Sequence, residues 1–419
     1  MTELVDEAEV AIVGGGILGC SIAYHLGRRG VADVLLVERG ELATQATARA
    51  AGLVLHGAAD RNGVRMVRRT RAAMAELEDA FGEDPGFRPV GSLGLVHAQE
   101  RVADGLAAEA LLREEGISVE HLDPQAARTL CPWLEPADAA LITFTPDDGY
   151  VDGARLAMSY LRAARRLGAR ARRGVGVDGF TRAGDRVTGV VTSAGVIRAG
   201  TVVVAAGAWS VALLHGLGWG MPATPVRSHY WITAPDGTGA PERPNVLLPD
   251  LRTYLRPEVG GMVLGFQEPR SQTFDPFTLP ESTEAALRHD REAETDLLIE
   301  HAASLAAAIP GLGDWRFAHH IAGLSMYTPD GRILLGPVPG IGGLYLAGGC
   351  CGSGIAMSGG IGAAMADLVA GRAPEIDPVP LDPARFGTVD PGSESFRALC
   401  AAARSRKSRG RQAASADGA

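Results

Sequence analysis

The chain has 419 residues, of which 46% are hydrophobic and 21% are charged, so it is not a wholly disordered chain. The formal net charge of −9 argues against a nucleic-acid partner, and five cysteines without framework spacing predict a reducing, cytoplasmic setting. No run approaches the roughly 18 apolar residues of a membrane span, and the acidic N-terminus does not resemble a signal peptide.

The first predicted unit, residues 9–38, is a strand, a glycine turn, a helix and a second strand that ends in an acid. Gly14 permits the tight turn, Gly16 lets the backbone approach a pyrophosphate, and Gly19 lets the helix pack closely on the strand. The helix N-terminus offers free N–H groups to phosphates. Glu38 can accept both ribose hydroxyls of an adenosine, which argues against a 2′-phosphate and therefore against NADP.

The middle of the chain alternates helical and extended segments. The predicted helices cover residues 62–82, 99–115, a segment ending near 167, and a long stretch over 281–308. The predicted strands include residues 88–97, 226–233 and 253–266, the last two with polar alternation.

A second strand, glycine loop and helix follow near the end, over residues 343–347, 348–354 and 355–370. Two such units indicate either two nucleotides or the two ends of one long cofactor such as FAD. We expect the positive end of this helix, beginning near Gly354, to face the electron-accepting edge of a flavin.

The segment after Arg385 is rich in Ser, Arg and Ala and shows no apolar periodicity beyond one turn. Residues 386–419 are therefore predicted to be a disordered basic tail. The tail contains Lys407, the chain's single lysine, so no lysine is expected in the folded body as a Schiff-base former or general base.

The glycine units and several motifs together resemble the D-amino-acid oxidase superfamily of FAD enzymes, nearest its sarcosine oxidase, dimethylglycine dehydrogenase and glycine oxidase branch. The further motifs are ATARAAGL (46–53), VVVAAGAWS (202–210), TPDG (328–331) and GGCCGSGIAMSGGIG (348–362). The resemblance covers about residues 8–386. It implies an α/β fold with a discontinuous Rossmann-like FAD domain and an antiparallel-sheet substrate domain over the flavin. The implied FAD-domain parts are 1–85, 149–225 and 319–385, and the substrate-domain parts are 86–148 and 226–318.

The resemblance also assigns cofactor contacts to residues of this chain. Gly14, Gly16, Ile17 and Gly19 form the phosphate turn, Glu38 and Arg39 hold the adenosine end, and Val177 touches the adenine through its backbone. Thr47, Ala51, Gly52 and Leu53 pass the pyrophosphate and flavin, and Ala206 and Gly207 lie under the cofactor. Gly352, Ser353, Gly354, Ile355 and Met357 close over the flavin ring.

Five residues are candidates for the chemistry: Arg256, Tyr254, His320, Tyr327 and Arg49. Arg256 and Tyr254 share one face of a strand, and family members anchor a substrate carboxylate with an arginine in this region. Each candidate has a structural alternative: a surface arginine, a hydrogen-bonded core tyrosine or a buried structural histidine. Because His319 and His320 are adjacent on a strand, at most one of them can face the flavin. No cluster has metal-ligand spacing.

The sequence departs from the family at positions that tether the flavin or assist its chemistry. Val263 and Ala356 stand where sarcosine oxidases have lysines, and GLSMYTPD lacks the cysteine that tethers FAD in the monomeric enzymes. Arg49 and Val151 stand where other members carry flavin-linked histidines. The cofactor is therefore expected to be non-covalent FAD.

The function that the resemblance implies is oxidation of the C–N bond of an amine or amino acid to an imine, by hydride transfer to flavin and then hydrolysis. The expected partners are a small amine and oxygen or another electron acceptor, and a partner subunit is possible. Three alternatives stay open: oxidation of a 2-hydroxy acid or alcohol on the same fold, a flavoprotein subunit active only with a partner chain, and a nicotinamide dehydrogenase. The second glycine loop, residues 348–354, does not have the GxGxxG pattern that a nicotinamide dehydrogenase would need there.

Overall fold

A computed structural model describes residues 3–287 and 291–407. In chain order its strands are β1 (Leu4–Val13), β2 (Val34–Glu38), β3 (Leu53–Val54), β4 (Ser92–Val96), β5 (Glu120–His121), β6 (Leu141–Thr145), β7 (Gly149–Tyr150), β8 (Arg170–Arg173), β9 (Val177–Ala183), β10 (Arg186–Thr192), β11 (Gly195–Val204), β12 (Thr224–Thr233), β13 (Asn245–Leu248), β14 (Thr253–Glu258), β15 (Gly261–Phe266), β16 (Phe317–Tyr327), β17 (Leu334–Pro337) and β18 (Leu344–Gly348).

Its helices are α1 (Ile17–Arg28), α2 (Arg61–Phe81), α3 (Val102–Glu114), α4 (Pro124–Leu130), α5 (Gly153–Arg166), α6 (Ser210–His215), α7 (Thr283–Ala286), α8 (Arg291–Leu305), α9 (Ser358–Val369) and α10 (Glu394–Ser405). Local chemistry fixes several of their ends. The Asp60 carboxylate caps α2 by accepting from the Gly63 N–H, and Gly82 ends this helix in the left-handed conformation. Among the described residues, no helix is both long enough and apolar enough to cross a membrane.

The first sheet is the nucleotide-binding layer that the glycine turn predicts. Its strands run in the order β17-β18-β11-β1-β2-β8, with β10 pairing β11 and β9 pairing β10. The neighbours β18, β11, β1, β2 and β8 are parallel, so their carboxyl ends lie at one edge of the sheet. Helices α1, α2, α5 and α9 contribute to the apolar core on one side of this sheet. The fold is therefore α/β in this part of the molecule.

The second sheet has the order β16-β12-β15-β14-β13-β4-β6-β5. Its pairs are antiparallel except for β13 with β4, which is parallel. Strand β16 pairs with β12 along almost its whole length, although the predicted boundary at residue 319 assigned most of this segment to the nucleotide-binding part. That boundary is wrong for residues 319–327, because all of them pair with β12 in the second sheet.

The predicted disorder of residues 386–419 is also wrong for the part that the structure describes. Helix α10 begins after Ser393, whose hydroxyl accepts from the Phe396 N–H. It buries Phe396 and Cys400 against the second sheet, and it buries Arg404 as well. The buried positions of α10 are Phe396, Cys400 and Arg404. Because one of them is an arginine, the sequence does not show the apolar periodicity that predicts a helix. Residues 408–419 lie outside the described residues.

Candidate active site

The turn between β1 and α1 requires glycine at two positions. Gly14 has φ +111°, and a Cβ there would lie 2.5 Å from the Ala205 carbonyl oxygen. A Cβ on Gly19 would lie only 1.9 Å from the Gly14 carbonyl oxygen. The helix can therefore pack this closely on the turn only where side chains are absent.

The N-terminus of α1 is open toward the edge where the parallel strands end. Gly16 is the N-cap and supplies no side-chain cap, and the first turn contains no acid. The Ile17 N–H donates to the buried Thr47 hydroxyl at 3.0 Å. A Cβ on Gly16 would meet nothing nearer than that hydroxyl, at 3.3 Å. This space and the positive end of α1 suit a phosphate group.

Glu38 lies at the end of β2 and is held by backbone amides. One carboxylate oxygen accepts from the Gly15 N–H and the other from the Gly40 N–H, each at 2.8 Å. The neighbouring Arg39 guanidinium lies 3.9 Å from the centre of the Trp209 ring. Val175 donates its N–H to the Glu38 carbonyl, which brings the start of β9, with Val177, beside the acid.

Two further segments reach the same region. Ala205 donates its N–H to the Val13 carbonyl, so Ala206 and Gly207 follow β11 directly beside the end of β1. Gly52 has φ +74°, and a Cβ there would lie 2.0 Å from the Val151 carbonyl oxygen. The Ala51–Leu53 turn, which leads into β3, therefore lies directly against Val151 at the end of β7.

The second glycine loop closes the site from the other side. Gly352 has φ +73°, and the Ser353 N–H donates to the Cys350 carbonyl at 2.8 Å. Helix α9 begins at Ser358, with Met357 as its N-cap, and not near Gly354 as the sequence predicted. Residues 351–352 and 354–357 form turns instead, because the glycine-rich segment curls before a regular helix can start. The expected helix end beside Gly354 is therefore corrected to a run of turns.

The two cysteines of this loop are free thiols. Burial raises the pKa of Cys350 to about 11, and burial also raises the pKa of Cys351. Both are therefore protonated near neutral pH and fill space in the loop.

One face of the second sheet presents tyrosines and arginines. Strand alternation and register place Tyr230, Tyr254, Arg256 and Tyr327 together on it. The Tyr254 hydroxyl lies over Gly265, where a Cβ would come within 2.2 Å of it. Burial raises the pKa of both Tyr254 and Tyr327, so both stay protonated at neutral pH.

The two arginine candidates connect this face of the second sheet with residues 49–53. Arg49 packs over Gly323, where a Cβ would come 3.2 Å from the Arg49 Cβ. Arg256 donates through Nε to the Ala51 carbonyl and through Nη1 to the Pro257 carbonyl. Its Nη2 forms a 2.6 Å ion pair with Glu258. Arg256 thus joins the second sheet to the Ala51–Leu53 turn, with its charge balanced by a carboxylate.

His320 is not brought together with the other candidates. Its ring contacts Trp231 and hydrogen-bonds His229 at 3.2 Å, and its Nδ1 lies 2.8 Å from a Glu294 carboxylate oxygen. These partners belong to the opposite face of the sheet and to α8. The alternation that places Tyr327 in the site turns His320 away from it, so its expected pocket role is corrected to a structural one.

Helix α10, which was not predicted from the sequence, forms one side of the site. This helix packs through Phe396 and Cys400 on Val226, Tyr327 and Cys351, which places it beside the second glycine loop. The signal in the sequence was Ser393 as a helix N-cap, followed by buried positions four residues apart at Phe396, Cys400 and Arg404.

The comparisons with known proteins agree with this geometry. Residues 9–368 match the family model described as FAD dependent oxidoreductase. The chain is 29% identical over 388 residues to the 4-methylaminobutanoate oxidase (formaldehyde-forming) of Paenarthrobacter nicotinovorans, across 91% of this chain and 46% of that protein. It is 28% identical over 391 residues to human mitochondrial dimethylglycine dehydrogenase, across 92% of this chain and 45% of that protein. The solved glycine oxidase of Geobacillus kaustophilus superposes with a TM-score of 0.75 at 26% identity, covering 91% of this chain and 99% of that one.

The fold and the site are those of a flavin-dependent oxidoreductase. The chain belongs to the D-amino-acid oxidase family of FAD-dependent oxidoreductases. It spans about half the length of the two curated relatives named above.

The residues present fit FAD. The space beside Gly16, which a Cβ would narrow, and the N-terminus of α1 suit a pyrophosphate. Glu38 lies next to this turn at the end of β2, where a carboxylate suits the ribose hydroxyls of an adenosine. A flat ring system can contact backbone atoms directly at two places, because glycines occupy them. These places are the loop at Gly352, where φ is positive, and the Ala51–Leu53 turn.

Proposed function

We propose that this chain oxidises the C–N bond of an amine or amino acid to an imine, which water then hydrolyses. FAD supplies the two-electron acceptor for the hydride that leaves the carbon next to nitrogen. The observation that carries the proposal is the convergence of the tyrosine face of the second sheet and the Gly352 loop upon the nucleotide-binding edge. The similar proteins named above are oxidases and a dehydrogenase of amines and amino acids, which supports the same chemistry.

The residues of the chain have separable roles in this proposal. Glu38, Thr47 and the Gly14–Gly19 turn hold the cofactor. Tyr254 and Tyr327 keep their protons and can donate hydrogen bonds to a bound substrate. Arg256 acts as a positioning residue for the Ala51–Leu53 turn, because its guanidinium is occupied by Glu258 and two carbonyls. The sheet and α10 exclude water from the reacting carbon.

The proposal also includes non-covalent attachment of FAD, because Arg49, Val151 and the GLSMYTPD segment replace the tethering side chains expected from the family. Acid precipitation of the purified protein should leave yellow FAD in the supernatant. Flavin that stays in the pellet would contradict non-covalent attachment alone.

The deciding experiment is anaerobic reduction of the purified flavoprotein by matched panels of substrates. We expect primary, secondary or N-methyl amines to bleach the flavin absorbance, and the corresponding 2-hydroxy acids to leave it oxidised. Bleaching by the hydroxy acids alone would replace amine oxidation with alcohol oxidation. A purified chain that binds FAD but is reduced by neither panel would favour a subunit that depends on a partner.

A further inference from the structure

The chain's single lysine is carried to the candidate site by α10. The helix is anchored by Arg404, which is 3% exposed and donates to the Glu268 carboxylate and to the Ser271 hydroxyl. Three residues later, at the end of the described chain, the Lys407 side chain reaches the second glycine loop. A segment that the sequence alone assigns to a tail therefore supplies a charged group at the site.

The Lys407 ammonium and the Tyr327 hydroxyl converge on the position that a side chain of residue 352 would occupy. We call this position the bare side of Gly352. A Cβ built on Gly352 would lie 3.1 Å from Lys407 Nζ and 2.9 Å from the Tyr327 hydroxyl oxygen. Because Gly352 has no side chain, both donors reach the backbone of the loop that closes the site. Two donors at one place match the two oxygens of a carboxylate.

The Lys407 ammonium differs in its pairing from the two buried arginines of the same region. Arg256 is paired with Glu258, and Arg404 is paired with Glu268. Within residues 3–287 and 291–407, Lys407 forms no ion pair. Although the residue as a whole is exposed, burial of its ammonium group lowers the pKa of Lys407, partly offset by the nearby Cys350 and Cys351 thiols. An ammonium partly stripped of water gains from an anion that enters the site.

We propose that Lys407 is a specificity-determining residue that, together with the Tyr327 hydroxyl, binds the carboxylate of an amino-acid substrate at the bare side of Gly352. This inference rests on the proposed amine oxidation and adds the substrate class to it. Val263 and Ala356, which are both apolar and buried, offer no competing charge to such a carboxylate.

The test is calorimetric titration of the FAD-loaded protein with methoxyacetate and with its neutral analogue 2-methoxyacetamide. Neither compound contains an amine that can be oxidised, so binding is measured without turnover. We expect Lys407→Gln to weaken methoxyacetate binding by about 10- to 100-fold, the loss of one charge-assisted contact, and to leave 2-methoxyacetamide unchanged. Lys407→Arg should retain most of the preference for the acid.

Arg406→Gln is the matched control, because it removes the same charge from the adjacent position of the same segment. It should leave both affinities and the FAD affinity unchanged. Equal weakening of the acid and the amide by Lys407→Gln would show a merely structural role and overturn the inference. An unchanged acid affinity together with a changed FAD affinity would assign the charge to the cofactor and also overturn it.

The outcomes separate this inference from the proposed function. If the protein oxidises amines but Lys407→Gln leaves the acid-to-amide ratio unchanged, only the carboxylate assignment fails. If the acid preference depends on Lys407 but no amine reduces the flavin, the anion-binding role survives and the proposed amine oxidation fails.

Discussion

Glu38 holds the glycine turn as well as standing at the predicted adenosine end. Its two carboxylate oxygens accept from the N–H groups of Gly15 and Gly40, so the acid joins the turn to the end of β2. We expect Glu38→Ala to cost about 1.5–3 kcal/mol of FAD binding, or one to two decades in affinity. Titration of the apoprotein with FAD, followed by quenching of flavin fluorescence, measures this change.

Glu41→Gln is the control for that measurement, because Glu41 is exposed and its carboxylate forms an ion pair with the exposed Arg173. It removes the same charge three residues further on. Equal FAD affinities for the Glu38 and Glu41 variants would mean that Glu38 does not contribute to cofactor binding.

Gly19 tests the close approach of helix and turn. A Cβ there would meet the Gly14 carbonyl oxygen at 1.9 Å, so Gly19→Ala must displace either α1 or the turn. We expect a loss of about 1–3 kcal/mol in the free energy of unfolding, measured in urea, and weaker FAD binding. Gly57→Ala is the control, since a Cβ at Gly57 meets nothing within 4 Å. A Gly19→Ala variant as stable as Gly57→Ala would contradict this close packing of α1 on the turn.

Among the secondary-structure elements, the first three were predictable and α10 was not. The strand–turn–helix–strand over 9–38 could be predicted because its glycines and its acid each have a local physical reason. The start of α9 was placed too early, because Gly352 and Gly354 allow turns that the apolar pattern cannot reveal. Helix α10 was missed because its buried stripe includes Arg404, and that position is favourable only because Glu268 approaches from a distant strand end.

The Arg404–Glu268 pair makes the docking of α10 testable. Burial alone would raise the pKa of Glu268, but the nearby His229 imidazole and the charge of Arg404 lower the pKa to about 2. Arg404→Met leaves this carboxylate buried without its cation, which costs about 3–5 kcal/mol. Hydrogen exchange read by mass spectrometry should show lost amide protection over residues 394–405.

Arg404→Met combined with Glu268→Met is the matched control for α10. The double variant removes the Glu268 carboxylate together with the Arg404 guanidinium, so no buried charge is left unpaired. An apolar pair of similar size is often as stable as a buried ion pair. Protection over α10 should therefore recover in the double variant. Unchanged exchange in the single variant would show that the apolar contacts of Phe396 and Cys400 are sufficient to hold the helix.

The whole molecule joins two sheets, and its site lies where segments from distant parts of the sequence meet. The cofactor half of this site could be predicted because backbone and glycines build it, and such signals are local in the sequence. The substrate half could not, because the direction of each side chain depends on strand register and on packing. His320 illustrates the difference: its residue type suggested chemistry, whereas the register turns it toward α8.

The stability of the whole molecule should depend on pH through buried histidines. Burial lowers the pKa of His25 to about 3 and that of His301 to about 4, below the value of about 6.5 in an unfolded chain. The unfolded state therefore binds more protons on acidification, so this stability is fully present above pH 6.5 and is lost as the pH falls. Between pH 7 and pH 5 the loss should approach about 2 kcal/mol for His25, and it should be smaller for the half-buried His301.

Urea unfolding across that pH range measures the dependence. His25→Gln should flatten the slope, while the exposed His215→Gln should leave it unchanged. A slope that is the same in the His25 variant and in the wild type would mean that other groups control the acid response.

A single lysine beside the site also makes the protein convenient for spectroscopy. Reductive methylation with ¹³C-formaldehyde would label one side chain, Lys407, in addition to the α-amino group. The chemical shift of this methyl signal, followed against pH, would report the titration of one ammonium without overlap from other side chains. The same resonance would shift when a small molecule enters next to Gly352, so occupancy could be observed in solution at a single position.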